Sequence, residues 1–236
     1  MIRISVKYEV YVAFQDITRL SNIFGYDRSV TYLYIVIQRE AMTKGEETRQ
    51  MIIERSAPIF NRKGIAATAM SDIMEATKLS KGSLYVHFDN KDTLAGTVVD
   101  YNMQLLSKRV ADELGRYDNA KDKLFAFIDM YRDPLNPPVT GGCPMMNFGV
   151  EADDMNEAVR VKVAKNVDKS QQMLVDIIKQ GVGQGVFKPD WNYKEFATLL
   201  FALIEGGVMI TRNTKKYDKM AIIIRNLKKM IEEQML

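Results

Sequence analysis

One cysteine, one histidine and one tryptophan in 236 residues remove several chemistries at the outset. A lone cysteine, Cys143, cannot form an intramolecular disulfide, and such sparse use fits a reducing compartment. A lone histidine, His87, excludes a multi-histidine metal site within one chain. It also forces any Ser-His-Asp or Cys-His chemistry to run through that one residue. Long apolar runs are missing as well. The most apolar stretch, FATLLFALIEGGVMI from Phe196 to Ile210, falls short of the ~20 residues of a spanning helix and carries Glu205 and a glycine pair. The first residues, MIRISVKYEVYVAF, alternate polar and apolar and lack the apolar core and small-residue cleavage site of a leader. The expectation is a cytoplasmic protein with no membrane partner. Charge of one sign is not in excess: the net charge is +3. Any grip on nucleic acid must therefore come from a local concentration of positive groups.

What is present is an ordinary globular composition, 47% hydrophobic and 27% charged, long enough for a substantial core. Residues 1–41 stand apart. Tyr8, Tyr11, Tyr26, Tyr32 and Tyr34 sit among β-branched residues with a period near two, which favours strands. From Met42 the pattern is helical, so the functional core is expected to begin there and 1–41 to be an extension, an upstream start that is not used. Helices are expected over Glu46–Lys63, Met70–Thr77, Ser80–Phe88, Asn90–Leu114, Ala120–Tyr131, Cys143 to about Asp154, Asn156–Gln180, Asn192–Asn213 and Lys216 to the end. Gly64 and Gly115 are natural stops and Asn90 a natural N-cap. The run from Asp133 to Gly142, with three prolines and two glycines, cannot continue a helix. The fold class is all-α: an N-terminal three-helix unit over 42–94 and a C-terminal bundle over 95–236.

The stretch SKGSLYVHFDNKDTL, Ser80 to Leu94, holds the one histidine with a tyrosine and two lysines. A catalytic base, a metal ligand and a grip on a polyanion all use such residues. The segment from Thr68 reads TAMSDIMEATKLSKGSLYVHFDNKDTL, and its spacing is that of a helix-turn-helix. Ile73, Ala76 and Leu79 face inward, Ser80 caps the next helix, and Leu84 and Phe88 anchor it. Lys81, Gly82, Ser83, Tyr85 and His87 are left pointing outward from a short helix of a size that a major groove accepts. Lys91 at the head of the following helix suits a phosphate. A purely structural role for His87 competes poorly, since Leu84 and Phe88 already fill the inward face. No nucleophile motif accompanies His87 as a base. GVGQG at Gly181 lacks the dinucleotide-binding spacing and reads as a helix end. No enzyme, metal site or organic cofactor is expected.

This segment resembles the DNA-binding region of the TetR (tetracycline-repressor-like) family. Gly64, Thr68, Ile73, Ala76, Ser80, Lys81, Gly82, Leu84, Tyr85, His87, Phe88, Lys91 and Leu94 match the family pattern, with Ser83 in place of a threonine. The resemblance implies DNA contacts from Thr68, Ser71, Lys81, Gly82, Ser83, Tyr85, His87 and Lys91. Two departures stand out. Ala69 replaces the usual Ser or Thr cap, so Thr68 is expected to cap from one residue earlier. Lys78 replaces the turn glycine, which implies either a strained left-handed turn at ~1 kcal/mol or a different shape.

The resemblance further implies a ligand-responsive repressor that binds a palindromic operator as a homodimer through its last two helices. The matching residues are Leu199, Leu203, Gly206, Gly207, Ile210, Ile223, Leu227, Met230 and Ile231; an intramolecular core is the alternative. GGCPMMNFGVEADD resembles the Gly-Cys-x-x-x-Asn segment of a subset whose cysteine senses electrophiles. Cys143 at a helix N-terminus would then have a lowered pKa; the alternative is a buried small hydrophobe. Tyr101, Phe127, Tyr131, Met146, Asn147, Met173 and Phe201 are the remaining candidates for a ligand cavity. An interaction module that has lost specific DNA binding is the other class left open.

Overall fold

The computed structural model describes residues 42–236, so the expectations for 1–41 lie outside the described residues. The described residues divide into two units at Arg49 and Gln50, 42–49 in the first and Gln50–Leu236 in the second. In the first, Thr43 and Glu46 form a capping box: the Glu46 carboxylate accepts from Thr43 N at 2.8 Å, and Glu46 N donates to Thr43 Oγ1 at 3.3 Å. That box opens α1 (Lys44–Lys63).

Eight further helices follow among the described residues: α2 (Met70–Thr77), α3 (Lys81–Tyr85), α4 (Lys91–Leu114), α5 (Ala120–Asp129), α6 (Pro144–Ala152), α7 (Glu157–Gly183), α8 (Tyr193–Thr214) and α9 (Asp218–Glu232). They lie within a turn of the expected spans. Asparagine opens four of them. The side chains of Asn90, Asn119, Asn156 and Asn192 each accept from the backbone N–H three residues on. The C-terminus is tied back by an isolated antiparallel bridge between Phe187 and Met235.

Around the turn between α2 and α3 the departures noted above resolve. Lys78 adopts φ 61°, ψ 23°, a left-handed conformation, and its N–H reaches Met74 O at 2.9 Å. The glycine-type turn is kept although its glycine is gone. Replacing Lys78 with Gly is expected to stabilise the fold by ~1 kcal/mol, measured as a shift in urea midpoint at unchanged m-value. Thr68 does not cap α2. Its hydroxyl donates backwards to Gly64 O at 2.6 Å, and Asp72 accepts from Ala69 N at 2.9 Å instead.

One core runs from α1 through α9. Ile73, Leu84 and Phe88 are fully buried in it, as their spacing requires, whereas Ala76 and Leu79 are only half-buried. In the last two helices, Leu227 and Ile231 are fully buried within the chain. A Cβ on Gly207 would meet Met220 Sδ at 2.6 Å, so this glycine allows α8 and α9 of one chain to approach. These three residues belong to the intramolecular core. Leu199 and Leu203, at 42% and 38% exposure, and Ile222 face outward.

Candidate functional site

The short helix α3 is held from behind and bare in front. Ser80 accepts from Ser83 N at 3.2 Å, and the two hydroxyls lie 3.0 Å apart. Ser71, Lys81, Gly82, Ser83 and Tyr85 are exposed, and His87 is half-buried beside them. The Lys81 ammonium lies 5.9 Å from the centre of the Tyr85 ring. Val86 is 80% exposed between Tyr85 and His87. Sequence reasoning passed it over because an apolar residue in an apolar segment reads as core. Gly82 is informative for what surrounds it: a Cβ there would meet nothing within 4 Å. Glycine within a helix costs roughly 0.5–1 kcal/mol relative to alanine, and no internal packing calls for it here. The space in front of α3 suits the close approach of another molecule.

Two expected contact residues turn inward instead. Thr68 is 1% exposed, with its hydroxyl on Gly64 O. The Lys91 ammonium donates to three carbonyls, Ile65 O at 2.9 Å, Thr68 O at 3.2 Å and Ala66 O at 3.3 Å. That spends all three ammonium donors. Lys91 ties the start of α4 to the α1–α2 turn rather than presenting a free cation.

The same turn is held from its other side. Glu151, near the end of α6, accepts from Ile65 N and Ala66 N, both at 2.6 Å. One turn earlier on α6, Asn147 Nδ2 donates to Asn61 O at 2.8 Å and to Gly141 O at 3.1 Å. Asn61 donates in turn to Thr140 O and Gly142 O. Gly141, at φ 105°, has no room for a Cβ, which would lie within 3.0 Å of the Asn61 backbone. Arg212 from α8 joins by donating to Gly141 O at 2.8 Å. The segment Asn61–Thr68 is thus clamped between α4 and α6. Asn147 was expected beside a ligand; its amide is committed to this clamp.

Above the clamp, α4, α5, α7 and α8 enclose a cavity of about 310 Å³, with Met145 of α6 in its wall. Phe127, Tyr131, Met173 and Phe201, four of the candidates for a ligand cavity, line it. Tyr101 and Met146 do not border it. Tyr101 faces Glu54 and Arg109, and burial is the main cause of its raised pKa; Met146 packs against the core. Sequence reasoning missed Met103, Leu106, Ser107, Asn166 and above all Glu205. The signal for Glu205 was there: it is the one charge in the most apolar run of the chain.

Cys143 is 5% exposed at the N-cap of α6 and borders a gap of about 10 Å³. Burial, and after it the charge and hydrogen bond of Glu205, push the thiol well above its usual pKa; two backbone N–H groups of α6 oppose this weakly. The helix N-terminus was expected to lower that pKa, and desolvation outweighs it. A raised pKa means less thiolate at any given pH. Alkylation by iodoacetamide at pH 8 is expected to be at least about 100-fold slower in the native protein than in guanidinium; comparable rates would contradict the burial of this thiol.

Residues 52–98 match the family described as bacterial regulatory proteins, tetR family, and residues 120–227 match the tetracyclin repressor-like C-terminal domain. Among solved structures, a TetR-family transcriptional regulator from Cytophaga hutchinsonii is 35% identical at a TM-score of 0.79, over 83% of this chain and 98% of that one. A TetR regulator from Chloroflexus aurantiacus J-10-FL is 34% identical at 0.78, over 82% and 98%. The chain belongs to the TetR family. Among curated TetR relatives, the HTH-type transcriptional repressor DhaR of Mycobacterium sp. (strain GP1) is 24% identical over 180 residues, 75% of this chain and 89% of that one. Membership makes the protein a DNA-binding transcriptional regulator with an N-terminal helix-turn-helix and a C-terminal helical domain. These likenesses do not set apart the Gly-Cys-x-x-x-Asn grouping within the TetR family. No helix among the described residues is long and apolar enough to cross a membrane.

Proposed function

We propose that the protein is a repressor that binds a palindromic operator as a homodimer, in the cytoplasm, and is released by a small molecule. Residues 42–94 form its DNA-binding domain and 95–236 its ligand-binding and dimerisation domain. Ser71, Lys81, Gly82, Ser83, Tyr85 and His87 contact DNA, with Val86 available for apolar contact with a thymine methyl group. Thr68 and Lys91 act one step back, shaping the turn that presents them.

The observation that carries this reading is the path between cavity and reading head. α4 supplies Met103 and Leu106 to the cavity and Lys91 to the Asn61–Thr68 segment; α6 supplies Met145 to the cavity and Glu151 to the same segment. A ligand that favours a displaced α4 and α6 must move the reading heads, and it releases DNA to the extent that it binds that arrangement better. Release by a non-covalent ligand is favoured over thiol chemistry, because Cys143 is buried with a raised pKa.

The test exploits Gly82. Gly82→Ala is expected to stabilise the isolated protein by ~0.5–1 kcal/mol. The same change is expected to weaken binding of the duplex that the protein selects from sheared genomic DNA by about tenfold or more, because one methyl group intrudes where DNA approaches. Folding is followed by denaturation and binding by fluorescence anisotropy. Unchanged affinity would remove α3 as the reading element and favour the interaction-module alternative.

A further inference from the structure

Polar groups line one part of the cavity, with Ser107, Asn166, Lys169 and Ser170 in its wall beside Glu205, and Glu205 is out of balance. Glu205 lies on α8 with its Oε2 shielded from solvent and without a hydrogen-bond partner among the described residues. Burial raises the pKa of this acid, and the neighbouring Cys143 thiol works against that effect. No ion pair reaches Glu205 among the described residues; Lys169, the cation that borders the cavity, is on the exposed side of α7. A buried carboxylate oxygen without a donor is costly, and a ligand that brings one is selected by that cost. The surrounding wall offers three aromatic rings, Phe127, Tyr131 and Phe201, and the soft side chains of Met103 and Met173. Aromatic faces attract a cation, and methionines adapt to an apolar body.

We propose that the effector is an amphipathic organic cation, its protonated amine held by the Glu205 carboxylate and its apolar body lying against Phe127, Tyr131, Phe201 and the two methionines. This rests on the reading of the cavity as the effector site. It adds the chemical class: the ligand brings one positive, hydrogen-bond-donating end and an apolar remainder of a size that 310 Å³ admits.

Three isosteric probes separate the possibilities by titration calorimetry on the full chain: phenylbutylamine, phenylbutanol and phenylbutyrate. The amine is expected to bind at least about tenfold more tightly than the alcohol, and the carboxylate more weakly than both. In Glu205→Gln the amine's advantage is expected to vanish while alcohol affinity stays within about twofold. The wild-type series stands by itself should the variant fold poorly. An alcohol or acid that binds as well as the amine would overturn the cationic class and leave the cavity as the effector site. A preference for amine that survives Glu205→Gln would overturn the assignment to Glu205. Binding of none of the three would count against the cavity as a ligand site, and the proposal would fall with it.

Discussion

Glu151→Ala is expected to destabilise the protein by about 2–3 kcal/mol, because two backbone N–H groups lose a charged acceptor at once. In a chain of this size that is a fall in Tm of roughly 5–10 °C. Neither Ile65 N nor Ala66 N has another partner in reach among its described contacts, and Ile65 is buried. The consequence for function is larger than the loss of stability. With Glu151 gone, the α1–α2 turn keeps Lys91 but loses its own acceptor on α6, and Asn147 holds only the preceding Asn61. Operator affinity is expected to fall about tenfold as the reading head becomes less ordered, and the residual binding should respond only weakly to effector. Glu151→Gln keeps one acceptor and should fall between. Thermal denaturation with anisotropy on the selected duplex checks both; a variant with wild-type Tm and undiminished effector response would show that the clamp is not the coupling element.

Leu203→Arg is expected to convert a dimer to a monomer and to lower operator affinity by about 10²–10⁴-fold, the range lost when two linked binding events become independent. The proposed interface is the outward face of α8 and α9. Leu199, Leu203 and Ile222 expose apolar surface there, and a Cβ on Gly206 would meet open space. A guanidinium in the middle of that face would be desolvated without a partner. Because Leu203 lies outside the monomer core, the variant should fold normally. Sedimentation gives the mass and anisotropy the affinity. A variant that remains dimeric would place the interface elsewhere.

Much of the fold is written in local signals. The helices of the C-terminal bundle were legible because their apolar positions recur at helical spacing and asparagine marks four starts. The helix-turn-helix was legible because its residue types, order and spacing are dictated together by a tight turn and a short exposed helix. Roles set by distant contacts were not. Nothing local to Lys91 says that its ammonium will find three carbonyls more than twenty residues away, or that Asn147 will reach Asn61. Cys143 misled for the same reason: its helix N-terminus is visible in the sequence, whereas the burial that overrides it is made by other segments. Glu205 carried a clear anomaly, a charge in an apolar run, whose meaning depended on the cavity beside it.

Sequence-specific binding by a symmetric dimer is decided by selection from a pool of randomised duplex DNA with the purified full chain at fixed salt, followed by sequencing. Enrichment of one twofold-symmetric sequence is expected, and its loss in Tyr85→Ala and Lys81→Ala. A pool that stays random after several rounds, or an enriched sequence indifferent to both substitutions, would contradict that mode of binding.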